Sequence, residues 1–321
     1  MEKAKTKETL QKIATMYYVG NQSQEKIAKS MDFSNAKVSR LLEYARKTRV
    51  VEFKINKNPV LIEEWAAKIK NHFGLKDVII APSSVNQSDS KVSVGKAAAV
   101  YLDSLLANGI HIGLAWGTTN SELVKHFQPT RTIQGSWVIQ LNGGSNIASD
   151  TLHIDGTELV KTLARKINAY SSILQAPCIV ENRLLRKLFI EEKVIREHFE
   201  KYDLLDVAIV GFSSQIPEES IAFKAGYISR EESQLLIESG FAADLCGNRF
   251  FVDGQEMDNP LTGRVISIPL QTLKKVPVKI AVAEGERKAA SAISSLKGGY
   301  VNVLIIDELL ALEIMFLAEI R

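Results

Sequence analysis

Six short apolar runs punctuate the chain from residue 78 onward: Val78-Ile79-Ile80, Ile110 to Trp116, Trp137 to Leu141, Val207 to Phe212, Ile280 to Ala283 and Val301 to Ile306. Each precedes a loop of small residues and then a stretch of helical character. Several are apolar at both odd and even positions, as strands are when helices cover both faces of their sheet. Strand and helix in alternation predict an α/β fold with a doubly wound, mostly parallel sheet. Residues 250–270 break the rhythm: Phe250-Phe251-Val252, Asp253-Gly254 and Val265-Ile266-Ser267-Ile268 predict a small antiparallel excursion.

Composition sets the frame around that sheet. The 321 residues are 45% hydrophobic and 24% charged, which excludes disordered, collagen-like and low-complexity classes. A length about twice the ~150-residue domain expectation predicts one large domain and a smaller one. Cys178 and Cys246 lie far apart with no Cys-x-x-Cys, so neither a disulfide framework nor a cysteine-rich zinc site is expected, and no metal site is assigned. The Met1–Lys7 start lacks an apolar region behind it, and no run nears the ~18 apolar residues of a membrane helix. These features predict a soluble, cytoplasmic protein with no membrane partner.

The charge is uneven. Residues 1–57 hold 13 Lys/Arg against 6 Asp/Glu, whereas the remainder holds 27 against 31. A basic segment on a mildly acidic body predicts that the segment alone meets a polyanion. Within it, Leu10, Ile13, Ala14 and Tyr17 share one helical face, and Gly20-Asn21 ends that helix. Ser23 is an N-cap for a second helix with Ile27, Ala28 and Met31 inward. Asp32-Phe33 turns the corner into Ser34, the N-cap of a third helix that buries Val38, Leu41, Leu42 and Ala45. Two helices joined by a short turn form the helix-turn-helix plan. The third helix exposes Asn35, Lys37, Ser39 and Arg40, side chains able to read base edges in the major groove. Gln24 and Ser34, near the starts of the two helices, complete the candidate DNA contacts. Lys26, Lys29, Arg46, Lys47 and Arg49 are placed to neutralise phosphates. Val51, Phe53 and Ile55 alternate with Glu52 and Lys54, predicting a wing strand, and Asn56-Lys57-Asn58-Pro59 marks the boundary to a domain spanning 58–321. A helix through Ile62, Trp65, Ala66, Ile69 and Phe73 follows and ends at Gly74.

The stretches Tyr17-Tyr18, Ser23-Gln24-Glu25-Lys26-Ile27-Ala28, Val38-Ser39-Arg40-Leu41-Leu42 and Arg49-Val50-Val51 resemble the SorC family of bacterial transcription regulators. Ser23 stands where that family usually has Thr, and Asn35 where it usually has Arg. The second departure lies on the base-reading face, so the resemblance carries no operator sequence.

In an open α/β sheet, ligands collect beyond the carboxyl ends of the strands. Those ends read Trp116-Gly117-Thr118-Thr119, Asn142-Gly143-Gly144-Ser145, Gly211-Phe212-Ser213-Ser214 and Glu284-Gly285-Glu286-Arg287-Lys288. Thr118 and Thr119 sit just ahead of a helix, where free N–H groups and the helix dipole favour an anion. Lys288 adds a full positive charge. A phosphorylated small metabolite matches this chemistry. No Gly-x-Gly-x-x-Gly turn follows the first strand and no Walker A sequence occurs, so neither a nicotinamide or flavin cofactor nor nucleotide hydrolysis is expected.

The resemblance extends over nearly the whole chain. Leu114-Ala115-Trp116-Gly117-Thr118-Thr119, Gln140-Leu141-Asn142-Gly143-Gly144, Ala243-Asp244-Leu245-Cys246 with Arg249-Phe250-Phe251 and Asp253-Gly254, and Val282 to Ala292 with Gly298-Gly299-Tyr300-Val301-Asn302-Val303-Leu304 follow the family's blocks in order. It implies a sugar-isomerase-like effector domain that binds a phosphorylated sugar or sugar-derived signal and shifts DNA affinity within a dimer or tetramer. On that resemblance, Gly117, Thr118, Thr119 and Lys288 would hold phosphate, Asp244 would accept hydrogen bonds from ligand hydroxyls, and Asn142, Gly143 and Gly144 would line the sugar. Where the deoxyribose-phosphate-responsive branch has a Schiff-base lysine, this chain has Asn142, which has no basic amine for such an adduct. Glu284 replaces a more usual small residue, and its carboxylate would repel a phosphate dianion unless it faces away.

The alternative from the same architecture is a sugar-phosphate isomerase or deaminase. It needs a general base within hydrogen-bond reach of substrate. Asp244 and Glu284 lack an evident acid partner, and His72, His111, His126, His153 and His198 read as structural or surface groups. No catalytic residue is assigned.

Overall fold

The computed structural model describes residues 2–53, 59–144, 155–213, 216, 223, 226–258 and 261–320. The chain divides into two compact units, Met1–Asn58 with Ser84–Asp89, and Pro59–Ser83 with Ser90–Arg321.

The first unit is helical. Helix α1 (Glu2–Ala14) runs into a π-helical turn, Thr15–Val19, before Gly20 stops it. Helix α2 (Gln24–Met31) starts at Ser23, whose side chain accepts from Lys26 N at 3.2 Å. Asp32 then takes a left-handed conformation, φ 55°, which short polar side chains tolerate, and the chain turns sharply. Ser34 repeats the cap on Lys37 N, also at 3.2 Å, and opens helix α3 (Asn35–Lys47). Ile13, Ile27, Ala28, Val38 and Leu42 form the core of the three helices.

The wing strand is not seen in the described residues. Val50 and Val51 both donate their N–H groups back to Ala45 O, at 2.9 and 3.1 Å. These bonds fold the segment against the end of α3 instead of presenting it to a partner strand. Val51-Glu52-Phe53 has no strand structure, and Lys54 and Ile55 lie outside the described residues, as do Asn56, Lys57 and Asn58 of the expected boundary.

The second unit opens with α4 (Pro59–Phe73) and is built on a parallel sheet. Its strands are β1 (Asp77–Ala81), β2 (His111–Leu114), β3 (Trp137–Gln140), β4 (Tyr170–Ser172) and β5 (Val207–Val210), then β8 (Val278–Ala283) and β9 (Val303–Asp307). Their order is β1-β9-β8-β5-β2-β3-β4, with every pairing parallel. The six apolar runs are six of these strands. Burial on both parities has a direct cause: in β8, Ile280 and Val282 join one core with Val94, Ala98 and Leu102 of α5 (Gln87–Leu105) and Leu123 and Val124 of α6 (Thr118–His126). Ala281 and Ala283 face the opposite core, with Ile69 of α4 and Leu310 and Ile314 of the final helix.

Two features depart from the sequence-based expectation. Edge strand β4 is three residues long and mostly exposed, so Tyr170-Ser171-Ser172 carries no apolar run to reveal it. The antiparallel excursion exists, but its hairpin pairs β6 (Phe241–Leu245) with β7 (Asn248–Phe251) through a turn at Cys246-Gly247. Val265–Ile268 is not a hairpin arm. It lies against the loops following β3 and β4 through isolated bridges, Val265 to Ile179 and Ser267 to Asn142.

Candidate functional site

A parallel sheet puts all its carboxyl ends on one edge. Here β8, β5, β2 and β3 are consecutive neighbours, so the loops at Glu284-Gly285, Gly211-Phe212-Ser213, Gly117-Thr118-Thr119 and Asn142-Gly143-Gly144 stand side by side. Ser145 and Ser214, expected in two of these loops, lie outside the described residues, as does His153.

The β2 loop becomes the first turn of α6, whose leading N–H groups have no acceptor within the helix. Thr118 is half-buried and Thr119 is buried. The Thr119 hydroxyl donates to Glu284 Oε2 at 2.6 Å. Glu284 does not face away: its carboxylate is buried, and Oε1 lies 3.6 Å from Lys288 Nζ and 3.8 Å from Lys91 Nζ. Lys91 is a member of the site that sequence alone does not single out, because nothing in the pattern of α5 distinguishes that lysine from a solvated one. Gly285, at φ +88°, takes the loop round a corner that a side chain would strain, and donates its N–H to Asp307 Oδ1 at 2.9 Å. Asp307, itself buried, also accepts from the Ser83 hydroxyl at 2.8 Å. The chain around Glu284 is thereby fixed.

On the β3 side, Asn142 is buried, accepting from Trp116 N at 3.3 Å and bonded to Cys178 through its side chain. The N–H groups of Gly143 and Gly144 are already used, donating to Ile266 O at 3.0 Å and Ala176 O at 2.8 Å. These two glycines can line a ligand but supply it no backbone donors. Burial pushes the Cys178 thiol up to about 12, so it is not a nucleophile.

Asp244 lies on β6, with its N–H reaching Ser213 Oγ at 3.3 Å and one carboxylate oxygen accepting from Gly247 N at 3.2 Å. Across the hairpin it is paired in register with Arg249. That arginine is 2% exposed, and its Nη1 has no hydrogen-bond partner among the described residues. It precedes Phe250-Phe251 in a recognisable sequence block, yet only the structure shows how deeply its charge is buried beside Asp244.

Beneath the loop after β3 a polar network holds the end of that strand. His198 Nε2 meets Gln140 O at 2.8 Å, Ser172 Oγ meets His198 Nδ1 at 2.9 Å, and the Tyr202 hydroxyl donates to Gln140 O at 3.0 Å. Burial lowers the His198 pKa to about 4, so the imidazole is neutral. Its Nε2–H donates to the carbonyl, while Nδ1 accepts from the serine.

In the first unit, Ser34, Asn35, Lys37, Ser39 and Arg40 are all exposed along α3, and Gln24 is half-buried at the start of α2. Lys37 Nζ rests 3.6 Å over the Phe33 ring, which restrains its long side chain. Of the phosphate candidates, Lys29 pairs with Glu25 at 3.0 Å and Lys47 with Glu43 at 2.6 Å. Both are solvent-screened pairs within a helix, weak enough for a DNA phosphate to displace the carboxylate. Arg49 is more firmly engaged, with Nη2 within 2.7 and 2.8 Å of the two oxygens of Asp89.

Among the described residues no group of His, Cys, Asp or Glu is arranged to hold a metal, and no helix is long and apolar enough to cross a membrane. A family model described as "Putative sugar-binding domain" matches residues 59–316. The chain is 28% identical to the sorbitol operon regulator of Klebsiella pneumoniae over 299 residues, covering 92% of this chain and 93% of the relative. It is 26% identical to the deoxyribonucleoside regulator of Bacillus subtilis (strain 168) over 297 residues, again covering 92% and 93%. The crystal structure of the full-length sorbitol operon regulator SorC from Klebsiella pneumoniae superposes with a TM-score of 0.74 at 26% identity, covering 96% of this chain and 99% of that one. With the matched domain spanning most of its length and a regulator's architecture end to end, the chain belongs to the SorC family of sugar-binding-domain transcription regulators.

Proposed function

We propose that this protein is a DNA-binding transcription regulator of a carbohydrate-utilisation operon, gated by a phosphorylated sugar or sugar-derived effector. Residues 1–57 serve as the DNA-binding domain and 58–321 as the effector-binding and oligomerisation domain of a cytoplasmic dimer or tetramer. The observation that carries the reading is the pairing of two surfaces in one chain: an exposed face on α3 with Asn35, Lys37, Ser39 and Arg40, and four small-residue loops on one sheet edge. Relatives named for sorbitol and deoxyribonucleoside regulation support the carbohydrate assignment. In the effector site, Gly117, Thr118, Thr119 and Lys288 bind the anionic group. Asn142, Gly143 and Gly144 line the sugar, and Asp244 accepts from its hydroxyls. Gating is linkage: an effector that prefers one arrangement of the oligomer shifts DNA affinity by its differential affinity for the two arrangements.

Selection of duplexes from a randomised pool by the full chain, followed by anisotropy titration, tests the DNA assignment. Lys37→Ala with Arg40→Ala should bring selected and scrambled duplexes to similar affinity, while the thermal midpoint of the chain stays within a few degrees. A bidentate bond to a base edge supplies about 1–3 kcal/mol of discrimination, so removing two such side chains is readily measured. Undiminished preference for the selected duplex in the double variant contradicts the assignment of α3.

A further inference from the structure

The groups assigned to effector phosphate already hold an anion. Thr119 Oγ1 donates to Glu284 Oε2 at 2.6 Å, and Lys288 Nζ and Lys91 Nζ lie 3.6 and 3.8 Å from Glu284 Oε1. The carboxylate side chain is 2% exposed, while the Lys288 and Lys91 side chains are 18% and 26% exposed. The lysines therefore reach solvent at a rim while the acid lies behind them. Asp307 fixes the loop that carries the acid through Gly285 N, so this placement is built into the fold and is not one rotamer of a surface chain.

We propose that Glu284 is a specificity-determining residue, an internal counter-anion that competes with the effector's phosphate for Thr119 and Lys288. The inference rests on the phosphate-site reading above and adds what that site selects. Two ammonium groups facing one carboxylate leave a single net positive charge, too little to neutralise a phosphate dianion held beside the acid. A phosphate alone must break the Thr119 hydrogen bond and weaken two ion pairs before it gains Thr119 and Lys288 as partners. A sugar phosphate can draw on its hydroxyl contacts with the loops after β3 and β6 to offset that cost. Glu284 thus makes the domain unresponsive to free phosphate and confines gating to ligands that carry both a sugar and an anionic group. Where a small residue stands at this position, that filter is absent.

Inorganic phosphate is the probe, titrated by calorimetry into the full chain against chloride at matched ionic strength. Glu284→Gln preserves side-chain volume and an acceptor for Thr119 while removing the charge. Glu284→Ala serves as a second variant, and thermal midpoints verify that each is folded. The expected result is phosphate binding at least about tenfold tighter in Glu284→Gln than in wild type, and loss of that gain when Lys288→Ala is added. Equal phosphate affinity in wild type and both Glu284 variants, with Lys288→Ala still weakening it, overturns the filter and leaves the anion site standing. A gain in Glu284→Gln that survives Lys288→Ala, or no dependence on Lys288 in any variant, overturns the filter together with the anion site.

Discussion

At the scale of single residues, buried polar groups define the second unit more sharply than its apolar core does. His198 shows how. Its imidazole is 3% exposed and is held neutral by burial while bridging Ser172 and Gln140 O. In the unfolded chain the ring has an ordinary pKa near 6.5, whereas in the fold it is about 4. As pH falls, the unfolded state takes up the proton first. Stability is therefore complete above about pH 6.5 and declines between there and pH 4, by about 3 kcal/mol in total. Denaturant midpoints measured along that range should fall steeply for wild type. They should fall less steeply for His198→Gln, which can still bond both neighbours without titrating. Identical slopes would show that the imidazole is not the acid-sensitive group. None of this was legible in the sequence, where His198 is one histidine on a charged helix. Glu284 differs: its oddity beside the proposed phosphate loop could be read from the sequence, but the lysine facing it from α5 could not.

At the scale of elements, legibility followed the size of the apolar signal. Strands buried on both faces announce themselves because every position is under the same demand, and both caps of the helix-turn-helix were readable because Ser23 and Ser34 each precede a periodic stretch. Edge strand β4 escaped because one of its faces is bare. The wing strand is missing from the described residues because alternation over three or four positions also describes a segment folded back on a helix end, as Val50 and Val51 are on Ala45. The loops carry their own constraint. A methyl group added to Gly143 would meet Ala176 O and Pro177 C and O at 2.6 Å, all of them backbone atoms that cannot swing aside. Gly143→Ala should therefore cost about 1–3 kcal/mol in denaturant unfolding. Gly144→Ala, whose new methyl would have nothing nearer than Ala176 O at 3.9 Å, should be close to neutral. Equal stabilities for the two variants would mean that the β3 loop is looser than the structure shows.

At the scale of the whole molecule, the charge split and the two-unit division fall at nearly the same point of the chain. Within residues 1–57, Lys26, Lys29, Lys37, Arg40 and Lys47 lie exposed on α2 and α3. The body's cations are outnumbered by its acids and several are paired with them, as Lys91 and Lys288 are with the one carboxylate of Glu284. Sequence blocks picked out the loops of the sheet edge because each of them is rich in small residues. They could not give the order β8-β5-β2-β3 that makes four of those loops neighbours, since strand order is decided by helix crossovers and not by local pattern. If the body gates the head, the coupling free energy must appear in DNA binding and must depend on the anion site.

The most direct measurement is DNA affinity by anisotropy, with and without a saturating effector chosen from a sugar-phosphate panel, for wild type and Lys288→Ala. The account predicts equal effector-free affinities in the two proteins. It also predicts an effector-induced shift of about 5–150-fold in wild type that disappears in the variant at the same effector concentration. An equal shift in both proteins, or effector-free DNA binding abolished in Lys288→Ala, would contradict it.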